Sequence, residues 1–299
     1  KLVILISICI PAYNTDCTDL LKSLSNQIKS LDPIIEIIVF DDGSTLFDYV
    51  NRNECKRHGF TYLHSDLNEG RVKTRMRLAR ESKHDWILFL DADMLPVADD
   101  FISKYYKNIA KDKYEVYTGG HCYKKNNSLF SLRQNYGNAR EDIDQGLRNK
   151  RPYNHIFFGN MAIKKRLFIT IFSNYFDSSY GEDIYLSGML RKQKVAVLHL
   201  KNKTFHLGIE SNAAFVSKIE AAASTVARIY CEKKVDKSQS KLISYYDFLT
   251  RHKLTSIVYI SLVLIRPILK RSLLWFGNPL LFIDLFRLYH FLKKMRNGH

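Results

Sequence analysis

A chain of 299 residues, 46% hydrophobic and 25% charged, has enough apolar mass for one large core with an appendage or for two domains, and too much for a disordered chain. Its formal charge of +16 is unevenly spread: residues 211–299 hold 15 Lys and Arg against 5 Asp and Glu, which points to a polyanion such as anionic lipid or nucleic acid as partner. Five scattered cysteines with no Cys-x-x-Cys pair predict neither a zinc site nor a disulfide framework, and residues 1–10 carry no signal-peptide cleavage pattern, so a reducing, cytoplasmic setting is expected.

Residues 2–10 form an apolar, β-branched run that reads as a first strand, broken by Pro11-Ala12-Tyr13-Asn14. Asp16 or Thr18 caps a helix that reaches residue 28. Pro33 precedes a second strand over 34–40, which ends in the turn signal Asp41-Asp42-Gly43-Ser44. A helix over 46–58, a short strand over 60–64 and a basic helix over 71–82, opened by Asn68-Glu69-Gly70, follow. The organising stretch is 86–95, Trp-Ile-Leu-Phe-Leu-Asp-Ala-Asp-Met-Leu. Five apolar residues fit a strand buried on both faces of a parallel sheet, and they end in Asp91 and Asp93. Open α/β sheets bind ligands at the carboxyl ends of their strands, and two carboxylates there suit Mg2+ or Mn2+ carrying a diphosphate. A solvated turn is the competing reading. The alternation of strands and helices predicts an α/β fold with a doubly wound, mostly parallel sheet.

A helix over 99–110 and a strand over 114–118 come next. Residues 121–156 have weak periodicity and many polar groups (Lys124, Asn126, Asn127, Arg133, Asn135, Arg140), and read as an irregular insertion on the acceptor side, or a lid. Strand character returns over 158–163; Gly181-Glu182-Asp183 opens a helix to residue 192, acids being favoured at a helix N-terminus; a strand over 195–200 leads to Phe205-His206-Leu207-Gly208. Beyond 210 the texture changes to an Ala-rich helix over 212–234, a polar linker over 237–241, and apolar runs set between cations. The charge-free runs at 254–265 and 272–283 are 12 residues each, short of the roughly 20 that span a bilayer. Over 280–292, Asp284, Arg287 and His290 recur every three residues and leave Leu, Phe and Tyr on the other face. With Trp275, Arg266, Lys270, Arg271, Lys293, Lys294 and Arg296 nearby, the pattern predicts helices lying in the interface of an anionic membrane. A helical subdomain packed on the core, or a dimer interface, is the alternative.

Several acidic or polar clusters thus fall just after strands, where a parallel sheet gathers them on one edge. Taken together, Ile10-Pro11-Ala12-Tyr13-Asn14, Asp41-Asp42-Gly43-Ser44, Asn68-Glu69-Gly70-Arg71, Asp91-Ala92-Asp93, Gly159-Asn160-Met161-Ala162, Gly181-Glu182-Asp183 and His206 occur in an order that resembles the family-2 glycosyltransferases of the GT-A fold. The resemblance covers residues 1–210 as a nucleotide-sugar domain and leaves 211–299 as a helical, basic, amphipathic tail. It implies an inverting transfer of a sugar from a nucleoside diphosphate to an acceptor hydroxyl. Asp93 is then the main metal ligand, Asp91 contacts the ribose or a metal water, and His206 matches a third metal contact, with Mn2+ or Mg2+ as the ion. Asp183 matches the base that activates the acceptor hydroxyl, and Glu182 binds an acceptor hydroxyl or orients Asp183. Pro11, Tyr13, Asn14, Asp41 and Asp42 fall around the nucleotide, with Tyr13 stacked on a uracil ring, Asp42 accepting the ring N–H and Asp41 shaping the turn. Uridine is the default base. Ala92 belongs to the same donor site, and Arg71 and Arg75, one turn apart on one helix face, offer a guanidinium to the donor.

Three rivals are weaker. A sugar-1-phosphate nucleotidyltransferase wants a Gly-rich, Arg- or Lys-bearing loop after the first strand, and Pro11-Ala12-Tyr13-Asn14 is not one. A non-enzymatic lipid or nucleic-acid binder is invited by the charge, but the basic excess sits in amphipathic helices, so no nucleic acid is expected. A processive synthase of this family carries Gln-x-x-Arg-Trp, absent here. The expectation is a UDP-sugar enzyme, peripheral on the cytoplasmic face of an anionic membrane, serving a lipid-linked saccharide or surface glycan.

Overall fold

The computed structural model describes residues 5–29, 35–124, 131–173, 175, 180–235, 237, 240–275 and 280–297. Expectations at residues 2–4, Pro33, Ile34, Asn126, Asn127 and 276–279 lie outside them. The chain divides into two compact units: residues 1–124, 142–178 and 194–208 in the first; 125–141, 179–193 and 209–299 in the second.

The first unit is a sheet between helices. Its strands are β1 (Ile6–Ala12), β2 (Ile35–Asp42), β3 (Thr61–Ser65), β4 (Trp86–Leu90), β6 (Val116–Thr118), β8 (Asn160–Lys164) and β9 (Val197–His199), in the order β3-β2-β1-β4-β8-β6-β9. Only β8 runs against the rest; β1 is parallel to β2 and β4, β2 to β3, and β6 to β9. All five side chains of β4 are buried, as its unbroken apolar run requires in mid-sheet. Alternation along the strands sorts the two faces. Ile6, Ile8 and Ile10 of β1 and Trp86, Leu88 and Leu90 of β4 join one core cluster with Leu20, Leu21 and Leu24 of α1 (Thr18–Ile28) and Phe101, Ile102 and Tyr105 of α4 (Phe101–Ile109). On the other face Cys9 approaches α3 (Arg71–Glu81) through the Leu78 carbonyl, and Phe89 packs on Phe158 and on Phe168 of α7 (Lys165–Phe172). Helix α2 (Asp48–His58) adds to the unit beside α1. A small second sheet, β5 (Met94–Pro96), β10 (Thr204–His206) and β7 (His121–Cys122), carries the segment that follows β4.

One departure from the sequence reading has a plain physical cause. The described residues of the stretch 121–156 include regular elements: β7, α5 (Leu132–Arg140) and α6 (Gln145–Lys150). These helices bury Arg133, Gln134 and Arg148, so they lack the apolar stripe by which a helix is recognised.

The second unit is helical. It contains α5, α8 (Glu182–Lys192), α9 (Asn212–Cys231), α10 (Lys241–Arg251), α11 (Thr255–Trp275) and α12 (Leu280–Asn297). Its core gathers Phe215, Val226 and Ile229 of α9, Ile243 of α10, Leu262 and Leu273 of α11, and Ile283, Phe286, Phe291 and Leu292 of α12. Helix α12 therefore corrects the expectation of an interfacial helix with its Leu, Phe and Tyr face outward. That face is turned inward, and its polar positions are used inside the unit. Asp284 accepts from Arg140 at 3.0 Å, Arg287 donates to the Tyr136 hydroxyl at 3.2 Å, and the buried His290 lies 3.2 Å from Glu220. Among the described residues no helix is long and apolar enough to cross a membrane.

Candidate active site

Register gathers the acids. Ala12 pairs with Asp41, Asp41 with His64, and Asp42 with Ser65, while Asp91 follows Leu90, the partner of Asn160. The ends of β1 to β4 and the start of the reversed β8 share one edge of the sheet, the carboxyl edge where such folds bind ligands.

The loops on this edge are tied together. Asn14, at φ 47°, accepts from the Thr45 and Leu46 backbone N–H groups at 2.9 Å and donates its own N–H to Ser44 Oγ at 2.8 Å. Beside it Pro11 is half-buried and Tyr13 is 51% exposed. Asp41 is fully buried; its Oδ1 accepts from Ser44 N at 2.8 Å and its Oδ2 has no hydrogen-bond partner among the described residues. Asp42 accepts from Glu69 N and Gly70 N at 2.9 Å, one with each oxygen. Helix α3 has no acid in its own first turn, so Asp42 supplies the anion that its N-terminus favours.

The Asp91-Ala92-Asp93 turn closes on itself through Met94 N to Asp91 O at 2.9 Å. Ala92 is buried beneath it. Asp91 Oδ1 accepts from Arg75 Nη2 at 2.6 Å. Arg75 is buried, with its guanidinium 4.8 Å from the Phe158 ring centroid. Arg71, one turn earlier, is exposed, so the two arginines are divided between a buried ion pair and the surface.

Asp93 faces His206. In the small sheet His206 pairs with Met94, which brings His206 Nε2 to 3.2 Å from Asp93 Oδ2, and Leu207 N donates to Asp93 O at 2.9 Å. Burial pushes the Asp93 carboxyl up, but the hydrogen bond and charge of His206, the charge of Arg71 and a backbone N–H outweigh it and hold the group below the usual carboxylate range. Two glycines leave room for these carboxylates. A Cβ at Gly208 would lie 2.1 Å from Asp93 Oδ2; one at Gly159 would lie 3.0 Å from Asp91 Oδ2 and 2.4 Å from the Phe157 ring.

The donor set of Asp93 and His206 suits a divalent cation, and His206 Nδ1 is a buried nitrogen without a hydrogen-bond partner among the described residues. A second cluster, Asp41, Asp48 and His64, has candidate ligand atoms within 4.8 Å of one another. In it Asp41 Oδ1 accepts from Ser44 N, Asp48 Oδ1 accepts from the Tyr62 hydroxyl at 2.8 Å, and His64 Nδ1 lies 3.4 and 3.3 Å from those two oxygens, while Asp41 Oδ2 has no hydrogen-bond partner among the described residues. The grouping is that of one imidazole lying between two carboxylates.

Sequence reasoning missed the frame behind this edge. Asn160, fully buried, donates to Gly120 O at 2.8 Å and Asn202 O at 2.9 Å and accepts from the Tyr105 hydroxyl at 2.6 Å. Buried Arg148 donates to Gly119 O and Leu200 O at 2.9 Å and to His199 Nδ1 at 3.0 Å. Asn160 stood in a recognised motif, but Asn202 and Arg148 carried no signal. Glu182 and Asp183 belong to the other unit, in the first turn of α8 after Gly181 at φ 119°. Glu182 is buried and accepts from Gly181 N at 3.1 Å, and Asp183 is half-buried.

A mixed sheet with one reversed strand and an Asp-x-Asp turn at its carboxyl edge is the arrangement expected of a glycosyltransferase of the GT-A class. Residues 7–172 match Glycosyl transferase family 2, more than half of the chain, and the protein belongs to that family. An uncharacterized glycosyltransferase of Haemophilus influenzae is 35% identical over 91 residues, 30% of this chain and 29% of that protein's length. Among solved structures, glucosyl-3-phosphoglycerate synthase from Mycobacterium tuberculosis, in complex with Mn2+, UDP and glucosyl-3-phosphoglycerate, superposes with a TM-score of 0.54 at 18% identity, over 75% of this chain and 80% of that one. S. aureus TarS does so with a TM-score of 0.51 at 18% identity, over 74% of this chain and 39% of that one. These likenesses establish the GT-A fold.

Proposed function

We propose that the protein is a metal-dependent, inverting glycosyltransferase that takes a UDP-sugar and delivers the sugar to an acceptor hydroxyl. The observation that carries the reading is the Asp93–His206 pair, set at the end of the central strand with Gly208 keeping space beside it. Asp93 and His206 would hold a divalent cation, Mn2+ or Mg2+, which when bound would supply Lewis-acid stabilisation to the departing diphosphate. The neighbouring synthase's complex with UDP and Mn2+, and a further one with UDP and Mg2+, support that choice. Tyr13, exposed on the first loop, offers a ring for the uracil, and Pro11, Asn14, Asp41 and Asp42 shape the same loops. Ala92 lets the turn pass beneath the donor, and Arg71 offers its guanidinium to the diphosphate. Arg75 orients Asp91, leaving that carboxylate's second oxygen for the ribose or a metal water.

Asp183 is the base that takes the acceptor's proton, and Glu182 orients the helix turn that carries it. The acceptor is a lipid-linked saccharide or growing surface glycan at the cytoplasmic face of an anionic membrane; the basic charge of residues 211–299 supports this.

The test is a donor-hydrolysis screen of nucleotide sugars with and without Mn2+, run on the wild type, Asp93→Ala and Asp183→Asn. Turnover of a uridine donor that needs the metal and Asp93 is expected. Asp183→Asn should retain donor binding and lose transfer by about 10²- to 10⁴-fold. Metal-independent turnover, or a preference for another base, would sink the reading; loss of donor binding in Asp183→Asn would remove Asp183 as the base.

A further inference from the structure

Helix α11 has two faces of opposite fate. Leu262, Leu269 and Leu273 are buried in the second unit. Ile257, Ile260, Leu264, Ile268 and Trp275, spaced by three, four, four and seven residues, form a stripe on the opposite side. These five side chains are 58–73% exposed, although isoleucine, leucine and tryptophan are the residues most strongly driven out of water. Ser261 and Arg271 share the stripe. A run of apolar side chains on one exposed helix face needs a covering.

The charges around the stripe select the covering. Residues 255–275 contain no Asp or Glu, while Arg271 lies on the stripe, Lys270 lies beside it, and Arg251 and Lys253 precede the helix. Arg266 is turned away, 5.4 Å from the Tyr289 ring centroid. A second copy of the helix laid against this face would oppose cation to cation with no acid on α11 to pair them. An anionic bilayer surface meets both halves of the pattern: acyl chains take the apolar row, headgroups take the cations, and Trp275 sits at the level between them.

We propose that the outward face of α11, and not α12, is the surface by which the protein docks on anionic lipid. The assignment rests on the membrane reading above and narrows it to one helix face. The helix lies along the surface, because no helix among the described residues is long and apolar enough to cross.

The experiment uses the full chain and vesicles of phosphatidylcholine with or without phosphatidylglycerol. Co-sedimentation measures binding, and brominated acyl chains measure contact, since bromine quenches indole only at close range. Trp86, the other tryptophan of the two, is buried in the first unit's core, so a quenched signal belongs to Trp275. Quenching in anionic vesicles is expected, together with about a tenfold or greater loss of binding in Ile260→Glu/Leu264→Glu/Ile268→Glu, whose circular dichroism and donor binding stay at wild-type level. If the wild type ignores anionic vesicles, the membrane reading itself falls. Should the wild type bind while Trp275 is unquenched and the triple variant binds equally, the membrane reading stands and this face is wrong. A wild-type dimer by light scattering that the triple variant dissolves would assign the stripe to a second copy and overturn the proposal.

Discussion

The two units fix their important residues by different rules. In the first, position follows from strand register: once β1 to β4 are parallel, the residue after each apolar run arrives at one edge, and Asp41, Asp42 and Asp91 come there without further specification. In the second, position depends on which face of a helix is covered. Helices α11 and α12 are both apolar with cations, yet α12 buries Ile283, Phe286, Tyr289, Phe291 and Leu292 while α11 leaves a row of aliphatic side chains in water. A strand's end is written in its composition; a helix's partner is not.

The sharpest way to break that comparison is a pair of truncations. Phe286→Ala removes a fully buried ring from α12 and is expected to destabilise the protein by about 3–5 kcal/mol. Leu264→Ala on the exposed row of α11 should change stability by less than about 0.5 kcal/mol. Urea unfolding of both variants decides it, and equal effects would mean that the two helices do not differ in burial.

Next in size is the frame of the first unit. Asn160→Ala takes the side-chain donor from the Asn202 carbonyl, one of two donors from the Gly120 carbonyl, which keeps the Thr204 N–H at 3.2 Å, and the shorter of two acceptors from the Tyr105 hydroxyl, and is expected to cost about 1–3 kcal/mol, because a buried polar group left unpaired loses its full desolvation. A loss below about 1 kcal/mol by the same measurement would show that water replaces the amide.

These residues mark how far the sequence could be read. The strands, the Asp91–Asp93 turn and the helices with apolar stripes were legible, because burial on a sheet or a helix face imposes a period of 2 or 3.6 on the chain. His206 was legible only as a motif, since its partner is set by the antiparallel pairing of β5 with β10, two three-residue strands too short to show a period. Of the cage, Asn160 was legible only as part of a motif, and Asn202 and Arg148 were not legible at all. Buried polar side chains have no pattern of their own; they are placed by carbonyls just past the ends of strands, at Gly119 and Leu200, and at the start of α4, at Phe101.

A smaller and more local effect is expected at Gly208. The Gly208→Ala methyl would stand 2.1 Å from Asp93 Oδ2, so the carboxylate must turn from its present place. Nucleotide binding supported by Mn2+ should fall about tenfold, the lower end for disturbing a group that orients a metal ligand, while the thermal midpoint moves little. Calorimetric titration with UDP, with and without Mn2+, measures it, and unchanged affinity would show that the close approach has no part in holding the ion.

The last effect concerns acid and is spread over more than two pH units. His199 is buried, accepts from Arg148 at Nδ1 and donates from Nε2 to Pro152 O at 2.8 Å, an arrangement that only the neutral ring can make. Burial lowers its pKa from 6.5 to about 4; the bond to Pro152 opposes the shift, while Arg148 and His155 add to it. In the unfolded chain the ring titrates near its ordinary value, so between these two values the unfolded state binds the extra proton. The stabilisation is complete above about pH 6.5 and drains away as pH falls toward 4, by about 3 kcal/mol at most. Urea unfolding at intervals from about pH 7 to about pH 4.5 should give a steeper slope for the wild type than for His199→Gln, by as much as one proton, or about 1.4 kcal/mol per pH unit. Equal slopes would mean that the ring is already charged in the folded protein, which the Arg148 hydrogen bond forbids.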